Sequence, residues 1–507
     1  MTKVRINILA NYAGSFWQMA MGLLFVPLYI HFLGIESYGI IGFFASLTVV
    51  ISLLDMGLST TFSREIARLA PTRSSDNTIR NSLATFSRAY WAIALIAGIL
   101  FIALSPFFAG HWLKAQHTPV SVISEATILM GLSIIVQWPG TIYLGGINGL
   151  QKQVQGNIVT IIMSTIRGGG AVLLLWLVSP TLHAFFLWQI GCNFAQTITY
   201  AILLQAELRD VPGKGRFDWG VLKQTWKFSA GMFGISILAT LLTQTDKVLL
   251  SKLVPLEQFG YYVLAGTAAS VLFAVIGPIN GALFPRFTEL VSLGDETNLA
   301  SLFHSSCQLV SFVVFPLWAV LAFFSREVLF AWTHNHTIAN SAGPILSLVA
   351  TGNMLNLMMH MPYNVQLAYA YTKLTMVVNS IAVVLLVPLI YFLVRHYGIN
   401  GGATAWIIVN GGYVFIAAHF VYRRYLKAEK WHWYVNDILR FAIPCVLLTF
   451  VTKYFAHFLP QDRFVDFIML AAVTVLNFAA MLVVMPRVAR KQLLGILTVA
   501  MKPGLKG

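Results

Sequence analysis

Charge is scarce in this chain. Charged residues fill 10% of its 507 positions and only 18 of them are acidic, where a soluble domain carries about 25%. With 58% of positions hydrophobic, the composition excludes a soluble enzyme, a binding module and a disordered tail. It predicts an all-α polytopic membrane protein. Cysteine is scarce as well. Cys192, Cys307 and Cys445 each stand alone in an apolar segment with no CxxC spacing, which excludes a disulfide framework and a thiolate metal centre. The chain lacks a GxxxxGK[ST] loop, so it carries no ATP-hydrolysing nucleotide site of that kind. No polar stretch approaches the roughly 50 residues needed for a soluble catalytic domain.

Long apolar runs are abundant. Stretches of the roughly 20 residues needed to cross a bilayer predict about fourteen spanning helices. They lie near 9–33, 40–62, 88–109, 121–145, 156–178, 181–204, 229–251, 259–284, 305–325, 343–362, 376–394, 402–422, 437–458 and 464–486. The first is too long for a cleaved leader and lacks a small-residue cleavage site, so it is expected to remain as a helix. With both termini assigned to the cytoplasm, 25 Lys and Arg fall on the inside and 6 on the outside, while Arg167 and Lys247 fall within helices. That bias is the positive-inside pattern, and it accounts for the net charge of +15 without nucleic acid as a partner.

An internal repeat divides the chain. "FLGIESYGIIG" (32–42) aligns with "LVPLEQFGYYV" (253–263), setting Glu36 on Glu257 and Gly39 on Gly260. "FSREIARL" (62–69) aligns with "FPRFTELV" (284–291), setting Arg64 on Arg286. Because the repeat returns after six helices, both copies share one orientation. A parallel pseudo-twofold pair of six-helix lobes is expected, 1–204 and 229–422, with substrate between them. The segment 205–228 would be the cytoplasmic linker, with Phe217 and Trp226 on a short interfacial helix. Residues 423–507 would hold two extra helices and a tail, of which 488–502 could lie along the membrane surface.

Polar stripes at helical spacing mark candidate binding residues. Helix 1 carries Asn7, Asn11, Ser15 and Gln18. Helix 2 carries Thr48, Ser52, Asp55 and Ser59, with Arg64 at its end. Helix 5 carries Asn157, Thr160, Ser164 and Arg167, and helix 7 carries Thr240, Thr243, Gln244 and Lys247 beside Asp246. A charge at the centre of a spanning helix costs roughly 2.5–3.5 kcal/mol, so these residues are expected to line a wet interior. Asp246 and Lys247 are adjacent and point about 100° apart on a helix, so they are not expected to neutralise each other. Interhelical salt bridges, and anchoring of Arg64 and Arg286 at the membrane surface, compete with substrate contact. His31 and His360 read as packing residues, and the His334-Asn335-His336 run as a loop without metal.

The stretches "NYAGSFWQMAMGLLFVPLYIHFLGIESYGIIGFFASLTVVISLLDMGLSTTFSREIA" and "TQTDKVLLSKLVPLEQFGYYVLA" resemble the polysaccharide (O-antigen and lipid-linked oligosaccharide) flippases of the multidrug/oligosaccharidyl-lipid/polysaccharide exporter superfamily. The resemblance implies two six-helix lobes around a cavity formed by helices 1, 2, 7 and 8. It points to Arg64, Asp246, Lys247 and Arg286 as substrate contacts, with Asn11, Gln18 and Asp55 beside them and Arg167 less central. The implied substrate is an undecaprenyl-pyrophosphate-linked oligosaccharide, moved from the cytoplasmic to the periplasmic leaflet of the bacterial inner membrane. No enzyme activity, cofactor or metal is implied; proton or sodium coupling stays open. A monomeric transport unit is expected in contact with membrane lipids, with a polysaccharide polymerase or glycosyltransferase as candidate partners. The competing readings are a cation-coupled multidrug exporter, for which Asp55 and Asp246 would matter most, a lipid II flippase, and a membrane polymerase or ligase.

Overall fold

A computed structural model of the chain describes residues 2–69, 78–209, 215–458, 460, 462–486 and 490. The described residues contain helices and no strand. That is the expected solution for a backbone in lipid, where every N–H and C=O must be paired within its own segment. Each of the fourteen apolar stretches falls on helix. Twelve of the described helices are long and apolar enough to cross a membrane. The stretches at 181–204 and 229–251 lie on the 26-residue Leu182–Glu207 and the 35-residue Trp219–Leu253 helices, which carry more polar side chains. The 488–502 segment lies outside the described residues.

Two local departures from regular spans matter for the site. The second stretch is broken: Ile35–Ile51 is α-helical, Ser52–Asp55 tightens to a 3-10 turn, and Leu58–Leu69 resumes the helix. Met56 (φ 48) and Gly57 (φ 73) make the break in left-handed conformation. Near the expected linker, residues 210–214 lie outside the described residues. From Trp219 one helix runs unbroken to Leu253, about 52 Å at ~1.5 Å per residue. The separate interfacial helix is therefore absorbed into it, and at its start exposed Phe217, just before the helix, meets Trp219 edge to face at 5.4 Å.

The chain divides into two compact units, Met1–Gly260 and Tyr261–Gly507. In the first, Thr2–Leu33 packs along Gln153–Leu177, and Val120–Gln137 lies between Thr78–Ala103 and Leu182–Glu207. The Trp219–Leu253 helix joins this unit by packing on Ile35–Ile51. In the second, Glu296–Phe323 is the central helix, flanked by His336–Met358, Arg440–Ala456 and Arg463–Val484. It buries Phe303, Phe315 and Cys307 among others.

The two copies of the repeat meet inside the first unit, and their contact is reciprocal. A Cβ on Gly39 would stand 2.6 Å from the Leu256 carbonyl oxygen, and one on Gly260 would collide with that of Ile35. Ile35 and Leu256 are themselves equivalent in the repeat. Glycine at both positions lets backbone lie on backbone. Beside this junction the buried Glu36 carboxylate accepts from the backbone N–H groups of Gln116 (2.5 Å), His117 (3.1 Å) and Thr118 (2.9 Å), and from the Thr118 hydroxyl (2.8 Å). The same loop reaches the second copy: Lys114 O accepts from Leu256 N at 2.9 Å, and Trp112 Nε1 donates to Ser251 Oγ at 3.0 Å.

Candidate functional site

Five helices of the first unit line an open-sided cavity of about 420 Å³. Gln18 and Tyr29 enter from the first helix, Phe44 and Thr48 from the second, and Gln137 from the end of Val120–Gln137. Ser164 and Arg167 come from Gln153–Leu177, and Phe185, Gln189 and Asn193 from Leu182–Glu207. Helical spacing explains the convergence: Ser164 and Arg167 are three apart, and Gln189, Asn193 and Gln196 follow at four and three, so each set shares a face. Gly168, beside Arg167, has the Phe25 ring where a Cβ would stand, so the glycine run sets how closely the first and fifth helices approach.

Arg167 is the chemical centre. Its Nη2 donates to Gln196 Oε1, while Nε is buried without a partner. Gln196 is oriented in turn by donating to the Tyr200 hydroxyl at 2.9 Å, which lies 2.8 Å from Thr160 Oγ1. Asn193 donates to Ser133 Oγ at 2.9 Å and Gln137 Oε1 at 3.1 Å, and its own Oδ1 is buried and unpaired. Tyr29 donates to the Gly168 carbonyl at 3.2 Å and meets Phe185 edge to face at 5.2 Å. None of the residues lining the cavity is acidic. A half-buried guanidinium whose Nε is buried and lacks a counter-charge is costly, and its planar fork suits phosphate or carboxylate oxygens. The arrangement can hold an anionic group beside aromatic walls that accept apolar or sugar faces.

The sequence-predicted residues divide. Gln18 and Arg167 line this one cavity; the other six lie elsewhere. Asn11 Oδ1 accepts from Asn157 at 2.6 Å, tying the first and fifth helices together. Lys247 Nζ lies 3.6 Å from Asp246 Oδ1 and donates to the Thr243 carbonyl at 2.8 Å. These neighbours pair after all, because the long lysine stem curls back over its own helix. Arg286 pairs with Glu289 at 2.6 Å, both half exposed, a geometry that contributes little in water. Arg64 is exposed on the Leu58–Leu69 helix.

Asp55 sits just before the Leu58–Leu69 helix and accepts from Ser59 N (3.3 Å) and Ser59 Oγ (3.0 Å), and from the Tyr90 hydroxyl. It closes the helix start that the Met56-Gly57 break exposes. Asp55→Ala is expected to lower the melting temperature in detergent by an amount equivalent to about 1 kcal/mol, the usual value of a cap. Asp55→Asn should keep most of that stability. Unchanged melting in Asp55→Ala would remove the capping role.

The residues that sequence reasoning missed are Tyr29, Gln137, Gln189, Asn193 and Gln196. The signal was present at 189, 193, 196 and 200, which repeat at four and three along one apolar helix.

A family model described as "Polysaccharide biosynthesis protein" matches residues 4–291. The Shigella flexneri protein designated "Putative O-antigen transporter" is 22% identical over 378 residues, covering 74% of this chain and 87% of that protein. Among solved structures, a lipid II flippase in its inward closed conformation superposes with a TM-score of 0.68 at 15% identity, covering 94% of this chain and 98% of its own. An inward-facing multidrug resistance transporter gives 0.63 at 13% identity, covering 80% and 93%. These likenesses are likenesses of fold.

Proposed function

Because the chain belongs to the polysaccharide biosynthesis protein family, we propose that it is a flippase for a pyrophosphate-linked polyprenyl oligosaccharide of the O-antigen or capsule type. It is a multi-pass membrane protein with no enzyme activity, and the reading places it in the bacterial inner membrane with both termini cytoplasmic. The observation that carries the substrate class is Arg167, a half-buried cation whose buried Nε has no partner and whose cavity has no acidic lining. A pyrophosphate or an acidic sugar supplies the missing charge. Tyr29, Phe44 and Phe185 offer faces to sugar rings, and Gln18, Gln189 and Asn193 offer hydrogen bonds to hydroxyls. The polyprenyl tail stays in the bilayer while access alternates from the cytoplasmic to the periplasmic leaflet. An inside-negative potential assists each negative charge outward by about 2.3 kcal/mol per 100 mV. Coupling to protons or sodium, a monomeric working state and a neighbouring polymerase or glycosyltransferase belong to this reading as further expectations.

The absence of acidic lining weighs against a multidrug exporter acting on cations, which would need carboxylates where this cavity has Arg167. The test is deletion of the gene with chromosomal complementation. Surface polysaccharide should fall and the lipid-linked oligosaccharide should accumulate in the inner leaflet. Unchanged polysaccharide with heightened sensitivity to cationic drugs would overturn the reading. Loss of viability with accumulated lipid II would replace the substrate.

A further inference from the structure

In the second unit, two imidazoles and two carboxylates converge where the C-terminal helices meet the central Glu296–Phe323 helix. His304 Nδ1 lies 2.5 Å from Asp437 Oδ2, and its Nε2 lies 3.0 Å from Glu429 Oε2. The His432 ring stands 4.2 Å from that of His304, centroid to centroid. One ligating atom from each of His304, His432 and Asp437 lies within 4.8 Å of the others.

The backbone is built to produce this convergence. His432 and Asp437 are five residues apart, which on an α-helix of 3.6 residues per turn would separate them by about 140°. Trp433–Leu439, however, is a π-helical turn. Its hydrogen bonds run from i to i+5 and bring residues five apart onto one side, and such turns are rare and concentrated at functional sites. Asp437 is fully buried. Its other oxygen accepts from Gln308 Nε2 at 2.8 Å, and its backbone carbonyl accepts from Ser311 Oγ at 2.5 Å. This fixes the carboxylate with Oδ2 facing the imidazoles, the kind of outer support that orients metal ligands.

We propose that His304, His432 and Asp437 form a transition-metal site of the zinc class, with Glu429 holding the other ring nitrogen of His304 and water completing the coordination, and that it fastens the C-terminal helices to the Glu296–Phe323 helix. The Asp437 ligand and the Glu429 carboxylate on the far nitrogen of His304 balance a divalent ion held by neutral imidazoles, which suits a half-buried site with Asp437 inside and His432 facing out. The donor set is the imidazole and carboxylate mixture that tetrahedral zinc accepts, at about 2.0–2.2 Å from each atom. On binding, the proton that His304 shares with its carboxylates leaves to solvent, and modest side-chain rotations bring the ligating atoms around the ion. The last two apolar stretches, 437–458 and 464–486, lie outside the sequence repeat, so this metal would hold an element that the repeat symmetry does not.

The experiment uses the full-length, tag-free protein in detergent, stripped with a chelator and titrated with Co²⁺. The expected result is one equivalent of the visible bands of four-coordinate Co²⁺, abolished by added Zn²⁺. His432→Ala changes an exposed side chain and leaves the His304–Asp437 pair in place; it should weaken the binding at least tenfold. Gln308→Ala should weaken it by about 10- to 100-fold through loss of ligand orientation. Zn²⁺ should raise the melting temperature of the parent protein and not that of His432→Ala. Absence of the bands in the parent protein, or equal bands and equal stabilisation in His432→Ala, would overturn the proposal and leave a histidine ion-paired to two carboxylates.

Discussion

Arg167→Gln is expected to abolish most translocation while leaving the protein as stable as the parent or slightly more so. The two halves of this expectation have one cause. Arg167 keeps a positive charge in a cavity whose lining includes no acidic residue, and its Nε has no acceptor. In the folded protein without substrate this is an unfavourable arrangement, and its removal costs the fold only the hydrogen bond to Gln196. Gln196 retains Tyr200, and replacing a desolvated charge by a neutral group of similar reach is often neutral or stabilising. An anionic substrate loses a charge-assisted hydrogen bond, worth about 1.5–3 kcal/mol. At about 1.4 kcal/mol per factor of ten, flipping should fall by roughly 10- to 100-fold. Arg167→Lys, which keeps the charge and loses the fork, should fall between. The measurements are the melting temperature of the purified variants and the amount of lipid-linked oligosaccharide held in the inner leaflet of cells producing them at equal levels. Parent-like translocation by a well-folded Arg167→Gln would remove the guanidinium from the substrate path. A collapsed melting temperature would show that Arg167 holds the bundle together instead.

How much of this was legible beforehand depended on the length scale of the signal. Fourteen apolar stretches were legible because hydrocarbon imposes one requirement on some twenty consecutive residues. The break at Met56-Gly57 was not, because a non-glycine residue in left-handed conformation leaves no pattern in the sequence. Asp55 consequently read as one more polar residue on a continuous helix, while the structure uses it to close a new helix start. Asp246 and Lys247 read as divergent because helical geometry fixes Cα–Cβ directions, but the four-carbon lysine stem reaches back over them. For the cavity, Gln18 and Arg167 could be picked out as polar groups on facing stripes. Asn193 belongs to the readable stripe of 189, 193, 196 and 200, whereas Gln137 could not be read, because a lone amide in an apolar helix looks the same whether it faces a cavity or a neighbouring backbone. The His304, His432 and Asp437 group escaped entirely, since its assembly depends on a π turn that has no sequence signature. The repeat was readable as matching letters, whereas its physical content is a contact between the two copies.

That contact sets the second large effect. Gly39→Val and Gly260→Val should each sharply reduce the folded, detergent-stable protein, and by similar amounts. The first places a side chain where only 2.6 Å separates a Cβ from the Leu256 carbonyl oxygen; the second does the same against Ile35. In both cases the obstacle is backbone, so no rotamer change relieves it and a whole helix must move. Overpacking of this kind costs about 1–3 kcal/mol, and it outweighs the roughly 1 kcal/mol by which glycine is the poorer helix residue. The similarity of the two effects is the sharper part of the prediction. Gly39 and Gly260 are equivalent positions of the repeat, and each rests on the equivalent of the other's neighbour. The reciprocal pair therefore responds as one structure. Gly266→Ala is the control, since a Cβ there meets nothing within 4 Å; it should be neutral or mildly stabilising. Size-exclusion profiles and melting curves of the three variants decide the matter. If Gly260→Val were tolerated while Gly39→Val was not, the junction would be asymmetric in energy, and the repeat would be a relic of sequence rather than a working symmetry of the packing.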